Sequence, residues 1–282
     1  MTIASGDARW LVAIDIDGTL VHDDGFLAPK VVEQVQRVRS LGHEVVIATG
    51  RSASQAIPVV SDIGISNGFA VCSNGAVTIK VNPDEPRGFS YHEVKTFQPR
   101  EVLSKLVEKL PTAHFAVEKI DGSYNYHRPF PTYALGDENY ETPLETLMEE
   151  PVSRVVVLSP DHAAEEFIEL ISEIGLHSVS YSIGYTAWLD ISPQGISKAS
   201  ALEIQRQQLN IRPDQVIAIG DGRNDIDMLT WAASQGGFGF AMGQAPEDVK
   251  RAATAVVASV EDNGVAEVLS GFEGLLFTHN FR

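Results

Sequence analysis

The sequence predicts an α/β fold, a doubly wound parallel sheet interrupted by an inserted α+β domain. Three observations carry this expectation. Short apolar runs alternate with amphipathic helical stretches at both ends of the chain, the pattern of βαβ units and a parallel sheet. Between them the texture changes to strands that alternate apolar and polar residues, as half-exposed antiparallel strands do. Several of the outer apolar runs finish in carboxylates, hydroxyls and amides, which gathers polar chemistry at one edge of the sheet.

The first parallel segment starts with "WLVAID" as a strand. "PKVVEQVQRVRSLG" follows as a helix, with Pro29 in its first turn and Gly42 near its end. "HEVVIATG" is the second strand and "SASQAIPVVSDIG" a helix expected to bend at Pro58. "FAVCSNGAV" reads as a third strand. The grammar returns with "SKASALEIQRQQLN" (helix), "QVIAIGD" (strand) and "NDIDMLTWAAS" (helix). "FGFAMG" (strand), "PEDVKRAA" (helix), "AVVAS" (strand) and "GVAEVLSGF" (helix) complete it. Residues 1–84 and 191–282 therefore form one core, and residues 85–190 the insert. The insert's strand candidates are "GFSYHEV", "HFAVEK", "SYNYHR", "SVSYSIG" and "TAWLDIS", with helices over "PREVLSKLVEKL" and "DHAAEEFIELISEIG". Polar "ALGDENYETPLETLMEEP" is a loop or a weak helix.

The 282 residues suffice for a sizeable core, and 44% are hydrophobic. Lys and Arg number 21 against 38 Asp and Glu, a formal charge of -17. That balance argues against nucleic acid or an anionic membrane as partner. It also requires any phosphate chemistry to carry its own local positive charge. One cysteine, Cys72, excludes a disulfide framework and sits in an apolar run. No basic-then-apolar leader and no run of about 18 apolar residues occur, so the expected compartment is the cytoplasm. No feature of the sequence assigns an oligomeric state.

Ligands of open parallel sheets bind beyond the carboxyl ends of the strands. The first strand ends in Asp15 and Asp17, the second in Thr49, Gly50 and Arg51, and the third in Ser73 and Asn74. The strand after the insert ends in "GDGRND", which supplies Asp221, Asn224 and Asp225; Lys198 opens the helix before it. A hairpin turn at "DIDG" explains none of this convergence. Four carboxylates together call for a hard divalent cation, and Mg²⁺ takes carboxylates, water and substrate phosphate. The spacing excludes an EF-hand calcium loop, and no GxxxxGK[ST] loop is present. "GGFGFAMG" follows a helix and reads as a core strand, not a dinucleotide loop. A hydroxyl, helix-start N–H groups and a lysine beside Mg²⁺ make a phosphoryl-binding pocket.

"DIDGTL", "TGR", "GISKASAL" and "GDGRND" together resemble the four motifs of the haloacid dehalogenase superfamily. The position of the insert is similar to that of its Cof-type phosphatase branch, which carries an α/β cap on a Rossmann-like core. "CSNGA", "FAMGQAPEDVKRAA" and "EDNGVAEVL" add to the likeness. Two departures are Ala199 and Gln244, where the family commonly has Gly and Asn.

The resemblance implies that Asp15 is the nucleophile, forms an aspartyl-phosphate and also ligates Mg²⁺. It implies that Asp17 gives the metal its backbone carbonyl and serves as general acid and base with its side chain. Thr49 and the Gly50 N–H would hold phosphoryl oxygens, with Lys198 neutralising charge there. Asp221 would ligate the metal, and Asn224 and Asp225 would hold phosphate, metal water or Lys198. Arg51 is expected to contact substrate or brace the hinge, and Asn74 to contact substrate or phosphate; Asp227 reads as a solvated helix residue, and His22, Asp23 and Asp24 as a polar loop.

The expected substrate is a small organic phosphate ester, such as a sugar phosphate. In the insert, Tyr124, Tyr126, His127, Arg128, Tyr185 and Trp188 either pack the sheet or reach the leaving group. A phosphomutase or phosphotransferase stays open as an alternative, since an aspartyl-phosphate passes to a sugar hydroxyl as well as to water. A phospho-Asp receiver module is a more distant one, needing only about 120 residues.

Overall fold

The computed structural model describes residues 9–132, 134–136, 138–176, 178–183, 187–273 and 276–278; of Ala164, Ile183 and Leu276 it describes the backbone alone. In chain order the main elements are β1 (Leu11–Ile14), α1 (Pro29–Ser40), β2 (Glu44–Ala48), α2 (Ala53–Asp62), β3 (Gly68–Cys72), β4 (Val77–Val81), β5 (Phe89–Val94) and α3 (Arg100–Lys109). Then come β6 (His114–Glu118), β7 (Tyr124–Tyr126), β8 (Asn139–Glu141), β9 (Arg154–Leu158), α4 (Ala164–Ile174), β10 (Val179–Ile183) and β11 (Trp188–Pro193). The last are α5 (Lys198–Gln208), β12 (Val216–Gly220), α6 (Ile226–Ser234), β13 (Phe238–Ala241), α7 (Glu247–Ala252), β14 (Ala255–Val256) and α8 (Gly264–Ser270).

The larger sheet has the order β14-β13-β12-β1-β2-β3-β4-β5. Every pair from β14 to β3 is parallel, with Leu11 beside both Val216 and Glu44 in the register of β1. The four residues of β1 are fully buried, and side chains of this kind contribute about 1.5–3 kcal/mol each when removed from water. The chain winds outward from β1 through β2 to β3, then returns as β12 on the other side. The crevice between β1 and β12 is the topological switch point, where ligands of such sheets bind. α1 begins at Pro29, whose missing N–H costs nothing there, and packs on the sheet through Val31, Val35 and Val38. α2 runs from Ala53 to Asp62 with Pro58 inside it.

The smaller sheet, β10-β11-β9-β6-β7-β8, is antiparallel apart from the β7–β8 pair. α3 and α4 cover one face through Leu103, Leu106, Phe167 and Ile171, which join Phe115, Val155, Val157 and Leu189 in a separate core.

Three expectations need correction. "GFSYHEV" belongs to the larger sheet as β5, antiparallel to β4, so the chain crosses to the smaller sheet after Val94 and back after Pro193. "FAVCSNGAV" is not one strand: Ser73 and Asn74 both take left-handed backbone (φ 50° and 52°) and turn β3 into antiparallel β4. The central strand β9 was absent from the candidates, because "RVVVL" is a short continuous apolar run with no alternation. No helix among the described residues is long and apolar enough to cross a membrane.

Candidate active site

Adjacent strand ends bring the predicted residues together. Asp15 stays in the ladder, its N–H donating to the Ile219 carbonyl at 3.0 Å. The chain then turns at Gly18, at φ +72°. A Cβ there would collide with the Asp221 carboxylate, so glycine serves both the turn and the close approach. Thr19 Oγ1 donates to Asp221 Oδ1 at 3.1 Å. After β12, the N–H groups of Asp221 and Gly222 donate to Asp225 Oδ2 at 3.0 and 2.9 Å.

Lys198 is the first residue of α5. Its N-terminus is fixed by Ser197 and Ser200, with Ser197 N–H donating to Ser200 Oγ at 2.9 Å. The Lys198 ammonium is fully buried and donates to Asp15 Oδ1 at 2.7 Å and Asp225 Oδ1 at 2.6 Å. Burial alone would push its pKa down. Asp15 and Asp225 reverse that and hold it above the ordinary lysine value, so it is charged.

One ligand oxygen from each of Asp15, Asp221 and Asp225 lies within 4.8 Å of the others, all three residues being buried. Burial and then Asp225 raise the Asp15 pKa well above the ordinary carboxyl value, and Lys198 offsets them only in part. A divalent cation with oxygen ligands fits this surplus of buried negative charge, and these three residues would hold it.

Thr49 is fully buried and accepts from the Arg51 N–H at 3.1 Å. Arg51 grips Asp17, outside the carboxylate cluster, with Nη2 at 2.6 Å and Nε at 3.0 Å from its oxygens. Asn224 Nδ2 donates to Asn74 Oδ1 at 3.0 Å beside Gly50. Asn74 and Ser73 hold conformations that cost on the order of 1–3 kcal/mol each, which is tolerated where surrounding bonds over-determine them. Asp227 is exposed on α6, and Asp24 closes a loop by accepting from Phe26 N–H at 2.9 Å. Gln244, one of the two departures from the family pattern, donates to the Gly18 carbonyl and accepts from Val260 N–H at 3.1 Å. It braces the turn that carries Asp15 and Asp17.

A cavity of about 520 Å³ opens beside Lys198, lined among others by Asn74, Ser180, Ser182, Asn224 and Arg223. Of the insert's aromatic and basic candidates, those described pack within the smaller sheet and its loops. Tyr124 is buried, Trp188 packs edge-on to Phe130 at 5.7 Å, and His127 stacks on Phe115. Arg128 donates to the Pro111 and Ala113 carbonyls. Tyr185 lies outside the described residues. The serines of β10 were missed because a Ser-Tyr-Ser strand reads as an ordinary exposed edge.

The haloacid dehalogenase-like hydrolase family profile matches residues 12–269. The chain belongs to that family. It is therefore an enzyme of the hydrolase class, and its two-sheet plan has counterparts among solved structures. A haloacid dehalogenase-like hydrolase from Bacteroides thetaiotaomicron superposes with a TM-score of 0.73 at 25% identity, over 93% of this chain and 98% of that one. A sugar phosphatase of HAD subclass IIB shares the fold with a TM-score of 0.77 at 22% identity, over 95% and 100%. Among sequences, a 5-amino-6-(5-phospho-D-ribitylamino)uracil phosphatase of Bacillus subtilis (strain 168) is 28% identical over 279 residues, covering 94% of this chain and 98% of its own. A phosphoglycolate phosphatase of Archaeoglobus fulgidus is 28% identical over 265 residues, covering 94% and 97%.

Proposed function

We propose that this hydrolase is a Mg²⁺-dependent phosphatase that cleaves small organic phosphate monoesters, sugar phosphates among them, through an aspartyl-phosphate on Asp15. The observation that carries the reading is the buried carboxylate of Asp15 at the end of the central strand, held at 2.7 Å by a charged lysine. Relatives of nearly equal length that act on phosphate esters support it. When bound by Asp15, Asp221, Asp225 and the Asp17 carbonyl, Mg²⁺ supplies charge that keeps Asp15 ionised and offsets that of the phosphoryl group.

The chain's own residues perform the transfer. An Asp15 oxygen attacks phosphorus while the bond to the ester oxygen breaks. Asp17 gives its proton to the departing alkoxide, which leaves as an alcohol. Asp17 then takes a proton from water as that water attacks phosphorus, which releases phosphate and restores both aspartates. Positioned acid–base catalysis of this kind is worth ~10²–10⁴-fold. The Thr49 hydroxyl and Gly50 N–H hold the phosphoryl oxygens, Lys198 balances their charge, and Asn74 and Asn224 line the approach. The smaller sheet and its helices act as a cap over the leaving group, with the hydroxyl-rich cavity beside Lys198 receiving a polar alcohol.

The test is phosphate release from p-nitrophenyl phosphate and a panel of sugar phosphates, with Mg²⁺ and with EDTA. Release that needs the metal and vanishes in Asp15→Asn supports the reading. Transfer of the phosphoryl group to a sugar hydroxyl, without release, replaces it with a mutase.

A further inference from the structure

Arg154 opens β9 on the smaller sheet and is 4% exposed. Its Nη1 crosses to the larger sheet and donates to the carbonyl oxygen of Gly50. Within its own sheet, Nε donates to Glu118 Oε2 at 3.0 Å, Nη1 to Asp190 Oδ1 at 3.3 Å, and Nη2 to the Tyr124 hydroxyl oxygen. Glu118 is 1% exposed and accepts from Ser73 Oγ on both oxygens, at 3.0 and 2.7 Å. Asp190 Oδ2 accepts from Asn74 Nδ2 at 3.4 Å. The loops after β2 and β3 are thus both held by charged groups of the smaller sheet. Arg154 does not line the cavity beside Lys198.

We propose that Arg154, paired with Glu118, is a positioning residue for phosphoryl transfer. The Gly50 carbonyl and the Arg51 N–H belong to one planar peptide, so fixing the first fixes the second. That N–H donates to Thr49 Oγ1. A hydroxyl with one lone pair so occupied keeps its proton for another acceptor, here a phosphoryl oxygen. The same peptide carries Arg51, whose side chain holds Asp17. One buried guanidinium therefore sets a phosphoryl contact and the bracing of the general acid together. It does so only while the smaller sheet is docked. A planar fork is required, because it must reach Glu118 and Gly50 at once, which a lysine ammonium on a flexible stem does not reproduce.

The inference rests on the phosphatase reading for its catalytic part, and its test separates the two. Full-length wild type, Arg154→Lys and the double variant Arg154→Gln with Glu118→Gln are compared by three readouts. These are kcat and KM for p-nitrophenyl phosphate and glucose 6-phosphate, thermal midpoint, and amide hydrogen exchange over residues 49–52. Both variants should lose kcat at least tenfold by the same factor on both esters, with KM changed less than threefold. Exchange over residues 49–52 should quicken at least tenfold in each. The double variant removes both members of the ion pair, and Arg154→Lys retains a counter-charge if the double variant fails to fold. Wild-type kcat in a folded variant, or unchanged exchange over residues 49–52, overturns the proposal. A loss confined to glucose 6-phosphate overturns it too, since Arg154 would then be a leaving-group contact. Absence of wild-type turnover on both esters overturns the phosphatase reading instead, and the exchange readout still decides whether Arg154 sets the loop.

Discussion

The guanidinium of Arg51 meets the carboxylate of Asp17 side-on, with Nη2 at 2.6 Å from Oδ1 and Nε at 3.0 Å from Oδ2. The two residues come from different strand ends, and the pair fixes the direction of the Asp17 carboxylate, the general acid of the proposed mechanism. Both side chains are partly exposed, at 29% and 61%, so the contact contributes little to folding. Arg51→Ala should therefore leave the thermal midpoint within about 2 °C while lowering kcat roughly tenfold, as expected for a misplaced general acid. Steady-state kinetics beside a melting curve check both halves.

Asp15→Asn should abolish turnover and yet raise the thermal midpoint in EDTA. Burial and Asp225 lift the Asp15 pKa in the folded chain well above its value of 3.8 when unfolded. Between those two values the unfolded chain gives up its proton first, so stability falls as pH rises through that window. An asparagine never ionises and escapes the loss. The gain of Asp15→Asn over wild type should vanish near pH 3.8 and grow toward neutrality, which melts at a series of pH values will show.

The same argument gives the metal response a sign. Ligation needs the Asp15 carboxylate without its proton, so Mg²⁺ should raise the wild-type midpoint more at pH 8 than at pH 5.5. At a hundredfold excess over its dissociation constant, a ligand adds about 2.7 kcal/mol. Asp221→Asn should weaken the Mg²⁺ response at least tenfold in concentration, and titration calorimetry measures it directly.

Two glycines with positive φ separate strain from collision. Gly18 and Gly25 lie at φ +72° and +85°, but an added Cβ meets the Asp221 carboxylate at the first and nothing within 4 Å at the second. Gly25→Ala should cost only the left-handed penalty of roughly 1–2 kcal/mol and keep kcat. Gly18→Ala should also displace Asp221 and lower kcat at least a hundredfold. Parallel melts and kinetics of the two variants check the contrast.

The chemistry at the strand ends was legible because parallel strands announce themselves as apolar runs, and a carboxylate directly after one has few structural uses. Asp15 and Asp221 could be placed this way, each directly following an apolar strand; Lys198 opens a helix and Asp225 lies four residues further on, and their roles came from the motif resemblance. Arg154 and Glu118 could not. Each looks like an ordinary charge on a strand, and 36 residues separate them. Their burial depends on how the smaller sheet meets the loops of the larger one, and no local pattern encodes that meeting. The left-handed pair Ser73–Asn74 was half visible: Asn-Gly signals a turn, yet the apolar flanks favoured one continuous strand.

β1 occupies the middle of the larger sheet, and its neighbour on one side, β12, is made about 200 residues later. At about 5–20 residues per second of synthesis, roughly 10–40 s pass between the two. Throughout that interval one flank of β1 has N–H and C=O groups without their final strand, next to Asp15 without its lysine. The nascent chain thus carries its catalytic core as an open edge, the kind of surface other chains pair with.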